Sequence, residues 1–152
     1  MPTAQETAEA VRDALWARDR VAHGLGMQLL AIGPGTATLS MTVREDMLNG
    51  IGLCHGGLVT TLADTAFGFA SNSGNQWTVT AGMDIHLLAA ANLGDVLTAS
   101  ACWVSRTGRS GVMDVPVINH RGEPVALVRV RAITNPARAV VAGLAAGPAA
   151  GE

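Results

Sequence analysis

The chain has 152 residues, 49% hydrophobic and only 14% charged, with a net charge of −2 at pH 7. Globular chains usually carry roughly 25% charged residues. Disorder is therefore excluded, and the shortfall points to surface covered by another subunit. One domain with one sizeable core is expected. There is no basic field to hold a nucleic-acid backbone. All ten basic residues are Arg, which excludes Schiff-base and Lys-dependent phosphate chemistry. Cys54 and Cys102 make neither a disulfide framework nor a CxxC pair. His23, His55, His86 and His120 lack metal-ligand spacing, so no metal and no cofactor is expected. The N-terminus lacks a signal-peptide layout, and a reduced, cytoplasmic setting follows. The longest apolar stretch, Gly56 to Ala70, is interrupted by Asp64, so no membrane span is expected.

Thr3-Ala4-Gln5-Glu6 reads as a capping box opening a helix. Ala8, Val11, Leu15 and Ala22 continue it to a glycine stop at His23-Gly24. Met27 to Ile32 and Thr36 to Arg44 read as two strands joined by the turn Gly33-Pro34-Gly35. Asp46 to Cys54 is a loop. From His55-Gly56-Gly57 the period becomes helical. Leu58, Leu62, Ala66 and Phe69 form one stripe; Val59, Ala63, Phe67 and Ala70 form a second. Such a helix is apolar over most of its girth and belongs inside the fold. Asn72-Ser73-Gly74 ends it.

Four strands follow: Trp77 to Leu88, Asp95 to Arg106, Ser110 to Asn119 and Pro124 to Thr134. Their short connections predict antiparallel neighbours, and Pro116 predicts an edge or a bulge. Arg138 to Glu152 reads as a frayed tail. The division is an N-terminal helix over 1–24, a domain over 25–136 and a flexible Ala/Gly-rich tail over 137–152. The fold class is α+β, an antiparallel sheet wrapped around a long central helix, because only that helix is apolar enough to cover one sheet face.

Asp64 is most at odds with its surroundings. Burying an unpaired carboxylate costs several kcal/mol unless it neutralises or finds partners. The pattern equally allows a carboxylate on a polar helix edge facing water, or a general base. Gly56 and Gly57 leave backbone N–H groups uncovered at a helix start, which suits a developing oxyanion. A tight loop-to-helix turn asks for the same glycines. Cys54-His55 is a poor nucleophile pair, because adjacent side chains seldom meet in the required geometry.

Met47-Leu48-Asn49-Gly50, Cys54-His55-Gly56-Gly57, Leu62-Ala63-Asp64-Thr65-Ala66-Phe67 and Ser71-Asn72-Ser73 closely resemble the phenylacetate-degradation (PaaI) branch of the hotdog-fold acyl-CoA thioesterases. The resemblance extends through Gly111-Val112-Met113-Asp114 and Val125 to Arg129. It spans about Gly24 to Thr134. It implies a hotdog fold. It also implies that Asp64 is the general base or nucleophile and that the Gly56 N–H polarises the thioester carbonyl. Asn49 then places the water or the carbonyl, His55 fixes the loop, and Thr80 assists the carboxylate. It further implies a homodimer whose sites combine Asn49 of one subunit with Asp64 of the other, paired again into a homotetramer. His86-Leu87-Leu88-Ala89 departs from the family, which often carries an aromatic, a basic residue and Pro there. Without Lys, contacts to CoA phosphates fall to Arg; Arg106, Arg109 and Arg131 are the candidates.

The implied activity is hydrolysis of (hydroxy)phenylacetyl-CoA or a similar aryl or short acyl-CoA. Two alternatives compete: a non-catalytic acyl-CoA-binding module, and a hotdog hydratase or dehydratase using a His–carboxylate dyad. The few aromatic residues, Trp16, Phe67, Phe69, Trp77 and Trp103, do not name the acyl group.

Overall fold

The computed structural model describes residues 1–148. The expected capping box starts α1 (Ala4–Trp16): the Glu6 N–H donates to Thr3 Oγ1 and the Thr3 N–H to the Glu6 carboxylate. The single N-terminal helix expected over 1–24 is two. Asp19 stops the first and N-caps α2 (Arg20–Gly24), accepting the Ala22 N–H at 2.9 Å. The elbow between them is held by the His23 ring, whose Nε2 lies 2.7 Å from the Trp16 carbonyl. A cap in mid-pattern was hidden because Asp also fits a solvated helix face.

The remaining elements are β1 (Gln28–Gly33), β2 (Thr36–Thr42), a 3₁₀ turn (Glu45–Met47), α3 (Gly56–Asn72), β3 (Trp77–Leu87), β4 (Val96–Thr107), β5 (Ser110–Ile118) and β6 (Pro124–Asn135). The six strands form one antiparallel sheet in the order β1-β2-β4-β5-β6-β3. Leu39 and Met41, Leu97 and Ala99, Met113 and Val115, and Val128 and Val130 alternate onto its inner face and are fully buried. Leu62, Ala66, Phe67 and Phe69 of α3 meet them. Truncating a core Phe of this kind to Ala typically costs about 3–5 kcal/mol.

Two topological expectations are corrected. Short connections predicted β3 beside β4; instead β3 pairs with β6, from Trp77↔Asn135 to Leu87↔Ala126. The end of α3 decides this. Asn72 Nδ2 donates to the Thr78 carbonyl and Asn72 Oδ1 accepts the Thr78 N–H, both at 2.9 Å. That clamp fixes where β3 begins, and the 88–95 connection then crosses to β4. Of the two outcomes expected for Pro116, the edge is wrong, because β5 is an interior strand, whereas an irregularity does lie close by: the β5–β6 register shifts between Val117 and Ile118. The β4–β5 register has no partners between Ala99↔Val117 and Cys102↔Asp114, so the missing N–H falls in a gap of the ladder.

The tail is not free where it is described. Asn75 Oδ1 accepts the Val140 and Val141 N–H groups, and its Nδ2 donates to the Val141 and Leu144 carbonyls. Arg138 lies 3.5 Å over the Trp77 ring. One buried Asn therefore satisfies four backbone groups of the tail, which composition alone could not show. The end of the expected tail, 149–152, lies outside the described residues.

Candidate active site

Asn49 organises the loop before α3. Its Oδ1 accepts the N–H groups of Ile51 and Leu53, each at 3.1 Å, and its own N–H donates to the Leu53 carbonyl at 2.7 Å. This closes a tight turn around Gly52, which has φ +80°. The two accepted bonds orient the amide, so Nδ2 is the free end. The loop is moored by Cys54 N–H to Ala91 O and His55 N–H to Met47 O, both 2.9 Å.

His55 is the N-cap of α3, and its Nδ1 accepts the Gly57 N–H at 3.1 Å. An accepting Nδ1 leaves the proton of a neutral ring on Nε2. Gly57's donor is thereby taken, whereas the Gly56 N–H has no acceptor among the described residues. Asn49 Nδ2 likewise has none. Asn49 and Gly56 line one cleft of about 390 Å³ with Leu53, Val59 and Leu87. Two uncommitted donors at the positive end of a 17-residue helix suit a developing oxyanion. A Cβ on Gly56 would come within 2.6 Å of Leu87 Cδ1. The near atom is the tip of an exposed, flexible side chain, and the contact is a tertiary one that no local pattern could reveal. Burial pushes the Cys54 thiol above its ordinary range, which opposes a thiolate nucleophile.

Asp64 is partly buried on α3, and Thr80 Oγ1 donates to its Oδ1 at 2.7 Å. Thr80 reaches it from β3 just before a bulge: Thr80 pairs with Ala132 and Gly82 with Arg131, leaving Ala81 unpaired. Bulges of this kind re-aim a side chain. Asp64 lines a second cleft, about 480 Å³, between α3 and the α1–α2 elbow. The structure thus brings Asp64 and Thr80 together, and Asn49 and Gly56 together. Within one chain the two pairs line different clefts. His55 lies along a third hollow with Met47, Leu58 and Thr61.

Arg106 stacks 4.9 Å from the Trp103 ring and donates to Gln76 Oε1 at 2.9 Å. Arg109 Nε donates to the Thr134 carbonyl at 3.1 Å, and Arg131 Nη2 to the Ala81 carbonyl at 3.4 Å. None of the three lines either cleft. The sequence reading missed Leu15 and Val21, which wall the Asp64 cleft. Leu15 belongs to the apolar stripe expected of the N-terminal helix and Val21 does not; the position of either against α3 leaves no local pattern.

Residues 51–126 match the model of the Thioesterase superfamily. The chain is 38% identical over 116 residues to the acyl-coenzyme A thioesterase PaaI of Escherichia coli K12, covering 76% of this chain and 83% of that one. The solved structure of the E. coli PaaI protein superposes with a TM-score of 0.85 at 34% identity, covering 88% of this chain and 96% of that one. A Streptococcus mutans protein bound to acetyl CoA superposes with a TM-score of 0.70 at 28% identity, over 74% of this chain and 90% of that one. The fold is the hotdog fold expected from the sequence, and the chain belongs to the thioesterase superfamily as an acyl-CoA thioesterase of the PaaI type.

Proposed function

We propose that the chain hydrolyses an aryl-acetyl-CoA, such as (hydroxy)phenylacetyl-CoA, or a similar aryl or short acyl-CoA, at sites shared between two subunits. The observation that carries this reading is the pairing of features. Two uncommitted donors, Asn49 Nδ2 and the Gly56 N–H, share one cleft, and a partly buried carboxylate held by Thr80 lines another. Thioester hydrolysis needs both kinds of group at one carbonyl.

In this mechanism the thioester oxygen lies against the Gly56 N–H, with Asn49 Nδ2 placing the carbonyl or the attacking water. Asp64 either takes a proton from that water and passes it to the departing thiolate, or attacks the carbonyl carbon itself, expelling the CoA thiolate and forming a mixed anhydride that water then hydrolyses to the free acid and the restored carboxylate. Water attack forms one C–O bond, breaks the C–S bond and releases CoA as the thiol with the free acid. His55 acts indirectly, by capping α3 and holding the loop. The relatives support the substrate class: one is named an acyl-CoA thioesterase, and one holds acetyl CoA.

The subunit arrangement rests on the edge strand β3. It is 11 residues long, one of its sides carries no strand among the described residues, and Ile85, Leu87 and the adjoining Leu88 are exposed. Long unpaired edges invite a partner strand. A two-fold dimer through this edge creates two identical sites at once, and a further pairing gives the tetramer. The hydratase reading is weakened because His55 Nδ1 already accepts the Gly57 N–H as the cap of α3. The binding-module reading keeps a pocket but has no use for the Asp64–Thr80 pair.

The test is free-thiol release from a panel of CoA thioesters by wild type and Asp64→Asn. Turnover on aryl-acetyl thioesters, with most of it lost in an assembled Asp64→Asn protein, is expected. Wild-type-like kcat in that variant contradicts the assignment of Asp64.

A further inference from the structure

Gly68 lies one turn beyond Asp64 on the same face of α3 and lines the same cleft. A glycine inside a helix is destabilising relative to alanine. Here the chain offers no steric reason for it, because a Cβ built on Gly68 meets nothing within 4 Å. A Cβ on Gly56 would press on the tip of the Leu87 side chain; one on Gly68 would meet open space.

That space has built walls. Leu15 and Val21 of the elbow face Phe69, Thr61 and Thr65 of α3 across it. The elbow is anchored, since Trp16 packs on Phe69 with ring centroids 6.0 Å apart and on His23 at 4.6 Å. The hydroxyls of Thr61 and Thr65 donate to the carbonyls of Gly57 and Thr61, at 2.8 and 2.7 Å. The other polar residues lining the cleft are Asp64, Asn72, whose amide is committed to the Thr78 backbone, and Arg18 and Asp19 of the elbow. A cleft of about 480 Å³ compares with the roughly 150 Å³ in which an apolar cavity takes up benzene. It has room for a ring and its linker. The elbow lies outside residues 51–126, the segment that matches the superfamily model.

We infer that this cleft receives the acyl group, and that Gly68 and the elbow residue Val21 set the width of the acyl group accepted. This rests on the thioesterase reading above and deepens it: a broad aryl-acetyl group fits beside Gly68, and a side chain there would leave room only for short acyl groups. Gly68 and Val21 are specificity residues and take no part in proton transfer.

The experiment measures kcat/KM for phenylacetyl-CoA and acetyl-CoA in wild type, Gly68→Ala, Gly68→Leu and Val21→Trp, with Tm and sedimentation on each. Val21 is 55% exposed, so its replacement probes the cleft from the opposite wall without touching the core. The phenylacetyl-to-acetyl ratio is expected to fall about 10–100-fold in Gly68→Leu and in Val21→Trp, the range over which pocket volume discriminates substrates. Gly68→Ala is expected to raise Tm. An unchanged ratio in both bulky variants overturns the inference. So does loss of assembly in Gly68→Leu with an unchanged ratio in Val21→Trp, since the glycine would then serve subunit packing. A wild type that releases thiol from no thioester in the panel overturns the parent reading and this one together. The wild-type rate alone distinguishes that failure from the other two.

Discussion

Thr80 Oγ1 donates to Asp64 Oδ1 across 2.7 Å, joining β3 to α3 at the carboxylate. In the proposed mechanism this bond holds Oδ1 and leaves Oδ2 for the reacting water or carbonyl. Thr80→Val keeps the shape and removes the donor. A hydrogen bond to a charged group contributes about 1.5–3 kcal/mol, so kcat is expected to fall about 10–100-fold with KM little changed. Steady-state kinetics on the variant checks this, and Thr80→Ser should recover most of the loss.

Gly56→Pro and Gly56→Ala separate the two demands on that glycine. Both add a Cβ facing Leu87, whose side chain is exposed and can move. Only proline removes the N–H. Gly56 is the first residue of α3, where proline is well tolerated, and His55 has φ −59° and ψ 128°, which suits a residue before proline. Both variants should therefore fold by circular dichroism. Gly56→Pro is expected to lose about 3–4 kcal/mol of transition-state stabilisation, and Gly56→Ala much less.

Asn49→Asp and Asn49→Ala distinguish loop-building from catalysis. Asp retains an acceptor for the Ile51 and Leu53 N–H groups but has no Nδ2–H. Its kcat is expected to fall by about 100-fold with little change in Tm. Asn49→Ala strands both backbone donors and should cost about 1–3 kcal/mol of stability as well. Thermal melts set beside kinetics give the two effects separately.

Asp95 makes a pH-dependent contribution to stability. It is buried, and the Asn92 N–H holds its carboxyl below the usual range, helped by Arg121 and His120. A carboxylate depressed in the folded state stabilises above its unfolded pKa of about 3.9 and loses that contribution as pH falls through the folded value. Asp95→Ala is expected to cost about 1–3 kcal/mol at neutral pH. The gap from wild type should close below pH 4, as read by urea melts across pH.

The central helix, the strands and the Asp64 and Gly56 positions were legible because each leaves a local pattern. The apolar girth of α3 announces burial, and alternation in β2 and β6 announces a half-buried sheet. What stayed hidden are relations between distant segments. The β3–β6 pairing depends on Asn72 clamping Thr78, and the course of the tail depends on Asn75. Asn and Asp at such places read as ordinary turn formers until their partners are known. The Asp64 cleft was invisible for the same reason: the stripe that holds Leu15 shows an apolar face but not what it faces.

The central claim is that Asp64 of one subunit acts with the Gly56 donor of another, and subunit complementation tests it most directly. Gly56→Pro and Asp64→Asn subunits, each inactive alone, are mixed in equal amounts under conditions that allow exchange, and mixed dimers are verified by mass. In a shared site each mixed dimer holds one intact site and one carrying both lesions. Random pairing should then restore about a quarter of wild-type activity, as two-fold symmetry requires. Verified mixed dimers with no activity above either parent would show that the two residues act within one chain, and the shared site would be wrong.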